Sequence, residues 1–294
     1  MPFAFSNALA RTQNGQTRVV YMTTLGIPHR VHEVARIWPR VVARTCHDAP
    51  VPSIETEAII LRSIRFSEAD VILSIYSPTA GRISGIAKGA RRSTSKLGGR
   101  LQPGVWVHLG LWQGRGDLGT VRSASIIQAH AGLWLDGHRL RAASSVLEAV
   151  LRAVPEHEPN PEVFHLLTRA LGLLSGAARI DGPPRLDPIV LGFQAKLLVV
   201  SGLLPRLSTC AMCGAPGPLM GFSAHAGGAL CADCARQGEP LEPSALEGFA
   251  VLVGHPLADA RARFPQGAGL GVERMIGLVL HEHLGVTLRS ATPV

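Results

Sequence analysis

The apolar residues of this chain change period near residue 130, and no other feature limits its possible folds as much. Between Ser53 and Ala129 five segments alternate apolar and polar positions: "EAIILRSI" from Glu57, "DVILSIYS" from Asp70, "GRISGIAK" from Gly81, "GVWVHLGLW" from Gly104 and "LGTVRSASIIQA" from Leu118. Each is rich in β-branched or aromatic residues and bounded by Gly, Pro or Ser–Thr clusters, which predicts strands. Five short strands packed so closely suit a small closed barrel better than a sandwich. In the fourth, Val105, Val107, Leu109 and Leu111 share one face and are expected to fill the barrel. Trp106, His108 and Trp112 share the other face. The two tryptophans then either stack on bases or pack against a second domain.

Beyond Ala129 the spacing is helical. "HRLRAASSVLEAVLRAV" from His138 places Leu140, Val146, Leu147, Val150 and Leu151 on one stripe, and "PEVFHLLTRALGLLSGA" opens on Pro161 at a helix start. "DPIVLGFQAKLLVVSGLLP" is apolar almost all round, the mark of a buried central helix. Further helical runs are expected near Ser244–Val253 and Val272–Leu284. Residues 131–294 thus read as a helical domain interrupted by one irregular insertion at 206–238.

That insertion holds "CAMCG" and "GGALCADC". Cys210, Cys213, Cys231 and Cys234 follow the spacing C-x2-C-x17-C-x2-C, which fits a four-thiolate zinc site. Two residues between cysteines let one tight turn aim both sulfurs at a metal, and Gly214 suits that turn. Paired knuckles favour a tetrahedral, redox-silent ion over an iron–sulfur cluster. Four protein sulfurs leave no open coordination position, so one structural Zn2+ is expected. Two reduced buried pairs or disulfides are the alternatives, and His225 is an alternative ligand.

Charge is divided unevenly. Residues 1–52 carry a net +4, residues 53–130 a net +5 and residues 131–294 a net −1. Basic charge confined to the first 130 residues suggests a polyanion, with nucleic acid ahead of a membrane surface. Of the 29 cations 26 are Arg, which a GC-rich coding bias also produces. The densest stretch, "KGARRSTSKLGGRLQPG", joins the third and fourth strands with Lys88, Arg91, Arg92, Lys96 and Arg100, and no acid lies between Asp70 and Asp117. Arg62 and Arg65 are expected in the loop after the first strand and Arg115 in the loop after the fourth. In a five-stranded barrel of this kind those loops, with the face of strands two and three, take oligonucleotides. Ser93, Thr94 and Ser95 add hydroxyls that can bond phosphate oxygens. Phe66 and Tyr76 are candidate stacking platforms, or core residues. The other reading of the basic stretch is a loop that charge keeps solvated.

Several functions are disfavoured. The string "GRGDLG" at Gly114–Gly119 has Asp136 downstream but runs into a predicted strand, whereas a dinucleotide site needs a helix there. "HEHLG" at His281 has Gly285 where a zinc protease needs its second ligand. No phosphate-cradling Gly-Lys-Ser/Thr loop and no nucleophile–base set is evident, so no catalytic residues are assigned and an enzyme is not expected. The start, "MPFAFSNALARTQNG", lacks a signal-peptide pattern, and the most apolar stretch, from Ile189, contains Lys196 and is short of the ~20 residues of a membrane span. A cytoplasmic location follows. Residues 1–52, with Pro28, Pro39, Pro50 and Pro52 among their prolines and one short amphipathic pattern at Val31, Val34, Trp38 and Val41, read as a disordered or non-native leader, or as a basic arm using Arg30, Arg36, Arg40 and Arg44. Val51 is a candidate start.

Taken together, these motifs resemble the RecO family of bacterial DNA repair proteins. "EAIILRSIRFSEADVILSIYSPTAGRISGIAKGARRSTSKLGGRLQPG" is similar to the family's amino-terminal barrel with its Gly-Ala-Arg-Arg turn. "FQAKLLVVSGLLPRLSTCAMCG" and "GFSAHAGGALCADC" are similar to its helix-plus-zinc segment. The resemblance covers about residues 54–290; the family pattern lacks the leader before Ser53. It implies an α+β protein of two domains: a five-stranded OB-fold barrel at 53–130, then a mostly α-helical domain at 131–294 with a four-cysteine zinc-finger insertion. It implies a recombination mediator at the nucleoid that binds single- and double-stranded DNA and anneals complementary strands. It further implies RecA loading onto strands coated by single-strand binding protein, with RecR as partner. Lys88, Arg91 and Arg92 match the family's basic turn, and the four cysteines its metal site. A zinc-containing nucleic-acid-modifying enzyme and a zinc-stabilised protein-binding scaffold are the alternatives.

Overall fold

The computed structural model describes residues 10–13, 16–19, 53–114, 116 and 118–290. Strands β1 (Ala10–Gln13) and β2 (Gln16–Val19) pair as a short antiparallel hairpin. The remainder of the amino-terminal segment, including the helical pattern at 31–41 and its four arginines, lies outside the described residues, as does Arg115. Residues 50–294 form one compact unit.

Five strands close a barrel in that unit: β3 (Ser53–Arg65), β4 (Val71–Ser77), β5 (Gly81–Ala87), β6 (Trp106–Trp112) and β7 (Leu118–Gln128), in the order β3-β4-β5-β7-β6. All neighbours are antiparallel except β5 and β7. Closure leaves no sheet edge to cover. Val105, Val107, Leu109 and Leu111 fill the interior with Ala58, Ile60, Leu73, Ile75 and Ile83, as the alternation predicts. β3 is longer than its pattern suggests, because it pairs with β6 from Ser53 and continues past a bulge at Ile60/Arg62 to pair Arg65 with Val71. Its central residues Ala58–Leu61 are buried on both faces. Ile59 and Leu61 point out of the barrel into the core of the helical half.

The helical half comprises α1 (Gly137–Ala153), α2 (Pro161–Gly176), α3 (Pro188–Val200), α4 (Pro243–Gly254), the short α5 (Ala260–Arg263) and α6 (Gly269–Leu284). The first three begin on side-chain caps. Asp136 Oδ1 accepts from the His138 N–H, Asn160 from Glu162 and Val163, and Asp187 from Ile189. Each satisfies amides that the first turn leaves unpaired, and Pro161 and Pro188 suit the position that needs no donor. Helix α3 is buried along nearly its whole length, from Ile189 to Leu198 apart from Lys196. Lys196, half-buried, finds a partner for its ammonium in the Val253 carbonyl, to which Nζ donates at 3.0 Å. Each fully buried Leu, Val or Phe contributes roughly 1.5–3 kcal/mol, so α3 is the axis on which the other helices pack.

The turn of the β4–β5 hairpin joins the two halves. Gly81, at φ +69°, lies so near the Glu158 backbone that any Cβ would come within 2.5 Å of it. Arg82 donates from Nε to the Val154 carbonyl at 2.9 Å and from Nη1 to Glu156 at 2.8 Å.

Candidate nucleic-acid interface and metal centre

The four cysteines lie on a three-stranded sheet module inserted between α3 and α4. Strands β8 (Leu219–Ser223), β9 (Gly228–Cys231) and the two-residue β10 (Glu239–Pro240) form it, with β8 central. In the first knuckle the Gly214 N–H donates to the Cys210 carbonyl at 3.0 Å, and Gly214 adopts the left-handed φ of +76° that closes the turn. In the second, the Cys234 N–H donates to the Cys231 carbonyl at 3.1 Å. The four sulfurs converge within 4.8 Å of one another, and Cys213 and Cys231 stand 3.6 Å apart.

Electrostatics give that convergence a purpose. The Cys213 and Cys231 backbone N–H groups aim at the Cys210 sulfur and pull its thiol down to about 6. The neighbouring Cys231 thiol and then burial push Cys234 up to about 12. The low Cys210 thiol and the raised Cys234 thiol show that the sulfurs crowd one another, and a bound cation would relieve that crowding, since a coordinating thiol is deprotonated outright. The donor set can hold a metal ion. His225, the alternative ligand, is turned away: its Nδ1 meets Glu282 Oε1 of α6 at 2.9 Å. Glu282 belongs to the "HEHLG" run, which closes α6 at Gly285, φ +63°. The "GRGDLG" string leads into strand β7, so no helix opens there.

The cations gather at the end of the β4–β5 hairpin opposite its turn. Arg62 and Arg65 lie on β3 itself, not in the following loop, because β4 pairs with β3 out to Arg65. Three residues apart on a strand, they face opposite ways. The loop from Lys88 is built rather than loose. The Arg91 N–H donates to the Ala69 carbonyl at 2.9 Å, Arg91 Nη1 to the Glu68 carbonyl at 2.8 Å, and the Gly89 N–H to Asp70 Oδ1 at 2.8 Å. Arg100 Nη1 donates to the Ala124 carbonyl of β7 at 2.9 Å. Arg62, Arg65, Lys88, Arg92 and Lys96 are all exposed, and among the described residues none of their side chains has a protein partner. Ser93 and Thr94 are exposed too, while Ser95 Oγ accepts from the Leu97 N–H at 3.2 Å.

The aromatic candidates separate. Tyr76 is fully buried, and its hydroxyl donates to the Asn160 carbonyl, so it is core and not a stacking platform. Trp106 packs edge-on against Phe164, ring centroids 5.9 Å apart, between barrel and helices. Trp112 lies under the Arg122 guanidinium at 5.7 Å. Phe66 remains exposed. A further aromatic ring, Trp134, escapes sequence reasoning because its segment has neither strand nor helix period. It stands beside a cleft of about 420 Å³ that Arg65 and Arg91 also line.

Comparison with known proteins covers both halves. The family model described as recombination protein O N terminal matches residues 52–130, and the C-terminal model of that name matches residues 135–292. A DNA repair protein RecO of Rubrobacter xylanophilus is 37% identical over 235 residues, 78% of this chain and 90% of its own length. The RecO of Cutibacterium acnes is 36% identical over 227 residues, 75% and 92% of the two chains. That of Anaeromyxobacter sp. strain K is 32% identical over 246 residues, 81% and 94%.

Proposed function

Since the chain belongs to the RecO family of DNA repair proteins, we propose that it works in DNA repair as a non-enzymatic recombination mediator. On this reading it binds single- and double-stranded DNA by the phosphate backbone, anneals complementary strands, and with RecR helps load RecA where single-strand binding protein coats the DNA. The observation that carries it is the group of five exposed cations, Arg62, Arg65, Lys88, Arg92 and Lys96, with no protein partner among the described residues. Cations that the fold leaves unspent can neutralise phosphates, releasing counterions and lowering the repulsion between two strands that must pair. Contacts of this type position a strand without reading its sequence, so base edges stay free for pairing.

The same reading gives the cysteine cluster one zinc ion bound by Cys210, Cys213, Cys231 and Cys234. Four thiolates leave a tetrahedral ion no site for substrate, so the metal would brace the module instead of reacting. No helix among the described residues is long and apolar enough to cross a membrane.

The test is annealing of two complementary oligonucleotides by the full chain without any nucleotide cofactor. Annealing faster than the spontaneous rate, and slowed by salt, is expected. Failure to bind single strands at low salt would leave a protein-binding scaffold; product formation dependent on metal or nucleotide would make the protein an enzyme.

A further inference from the structure

The cleft beside Trp134 has the chemistry of a nucleotide site. Ser63 and Arg65 of β3 form one wall, and Arg91 and Gln102 of the basic loop another. The indole of Trp134, 44% exposed, completes it. Its volume of about 420 Å³ is in the range of small-ligand clefts. No acid lines it.

Its parts are held in place by different elements. Arg91 is fixed by its bonds to the Glu68 and Ala69 carbonyls, and a guanidinium with five donors keeps others for a ligand. Arg65 has no protein partner among the described residues. Trp134 is anchored through its neighbours: Leu133 is buried in the helical core, and His130 Nδ1 meets the Gly104 carbonyl at 2.8 Å. An exposed indole that shares one cleft with two arginines and two neutral hydrogen-bonding side chains, Ser63 and Gln102, matches an anion joined to a flat aromatic ring.

We propose that this cleft is a one-nucleotide subsite of single-stranded DNA, in which Trp134 stacks on an unpaired base while Arg65 and Arg91 hold the adjoining phosphate. The proposal rests on the DNA-binding reading above and adds a contact to the base itself. In a duplex both faces of a base are already stacked, so the subsite distinguishes single strands from double ones. Being a π-face contact, it is indifferent to sequence.

The experiment measures binding of the full chain, and of its Trp134→Ala and Trp134→Phe variants, to three fluorescent ligands at one salt concentration. These are an oligothymidylate, an abasic strand of the same length, and a duplex. Trp134→Ala is expected to weaken oligothymidylate binding by roughly 5- to 100-fold while abasic-strand and duplex binding stay unchanged. Trp134→Phe should keep binding within about threefold, since a smaller ring still stacks. In the unsubstituted chain oligothymidylate should quench indole emission, and in Trp134→Phe that component should be missing. Unchanged oligothymidylate binding by Trp134→Ala overturns the subsite, and so does equal weakening for all three ligands. If the unsubstituted chain binds no strand at all, the DNA-binding reading fails instead.

Discussion

The Tyr76 hydroxyl donates to the Asn160 carbonyl at 3.1 Å, tying the outward face of β4 to the start of α2. With Arg82 on Val154 and Glu156, this commits the turn end of the β4–β5 hairpin to the helical half. The opposite end of the same hairpin, at Val71 and Ala87, adjoins the unpaired cations. One hairpin thus serves as hinge plate at one end and as support for the basic surface at the other.

Tyr76 is expected to matter for stability and not for DNA. Tyr76→Phe removes one partly buried hydrogen bond and should lose about 1 kcal/mol of unfolding free energy. Tyr76→Ala, which also vacates a buried ring, should lose about 3–5 kcal/mol. Burial pushes the hydroxyl up to about 12, so it remains a donor throughout the neutral range. Urea denaturation checks the two losses; weaker DNA binding by folded Tyr76→Phe would make the hydroxyl a binding group.

The cations should fall into two classes. Replacing Arg62, Arg92 and Lys96 by Ala should leave melting temperature unchanged and flatten the log–log salt dependence of single-strand binding by about 2 units, at roughly 0.7 per contact. Arg91→Ala should lower melting temperature as well, because its guanidinium braces the loop through the Glu68 carbonyl. Salt titrations with thermal melts separate the classes. Equal stability loss in both would mean that the exposed cations are structural.

If the four cysteines hold zinc as proposed, its removal should loosen one module and spare the barrel. In Cys231→Ala the purified protein should carry no zinc, and proteolysis should cut between residues 206 and 238 while the β3–β7 barrel stays protected. Ligand thiols must be deprotonated, so acidification should release zinc from the unsubstituted chain. Elemental analysis and limited proteolysis are the measurements, and a full complement of zinc in Cys231→Ala would remove that residue from the ligand set.

His130 should make stability depend on mildly acidic pH. Burial holds its imidazole below the ordinary range, and Nε2 meets no partner among the described residues. The unfolded chain, whose histidine titrates near ~6.5, then binds more protons than the folded one below that pH. The contribution is therefore complete above the unfolded value and is lost as pH falls through it. Melting temperature should drop between about pH 7 and pH 5, and less so in His130→Asn. Asn tolerates the left-handed backbone, φ 45° at this position, and can still donate to the Gly104 carbonyl. Parallel slopes for the two proteins would clear His130 of the effect.

The alternation of Val105, Val107, Leu109 and Leu111 was enough to fill a barrel, because side chains on a strand have only two directions and water selects one. The cysteine spacing likewise foretold that the four sulfurs converge, since a knuckle is a local turn and needs little from the rest of the chain. Pro161 marked a helix start for the same local reason. What the sequence by itself left open was every choice between two exteriors. Tyr76 and Trp106 both leave the barrel, but whether a ring meets water, a base or a helix depends on what covers that face, here residues 154–164 from far along the chain. Ile59 and Leu61 gave a hint in the unbroken apolar run of β3, a strand that must bury both sides. Arg62 and Arg65 are indistinguishable from Arg91 and Arg100 by composition. Only the tertiary structure decided that two of these four spend a guanidinium on backbone carbonyls while the other two keep theirs free, because a hydrogen bond is set by the distance between elements and not by their order. Trp134 belongs to the same class: a ring in an aperiodic connection acquires a role from the cleft that β3 and the basic loop close around it.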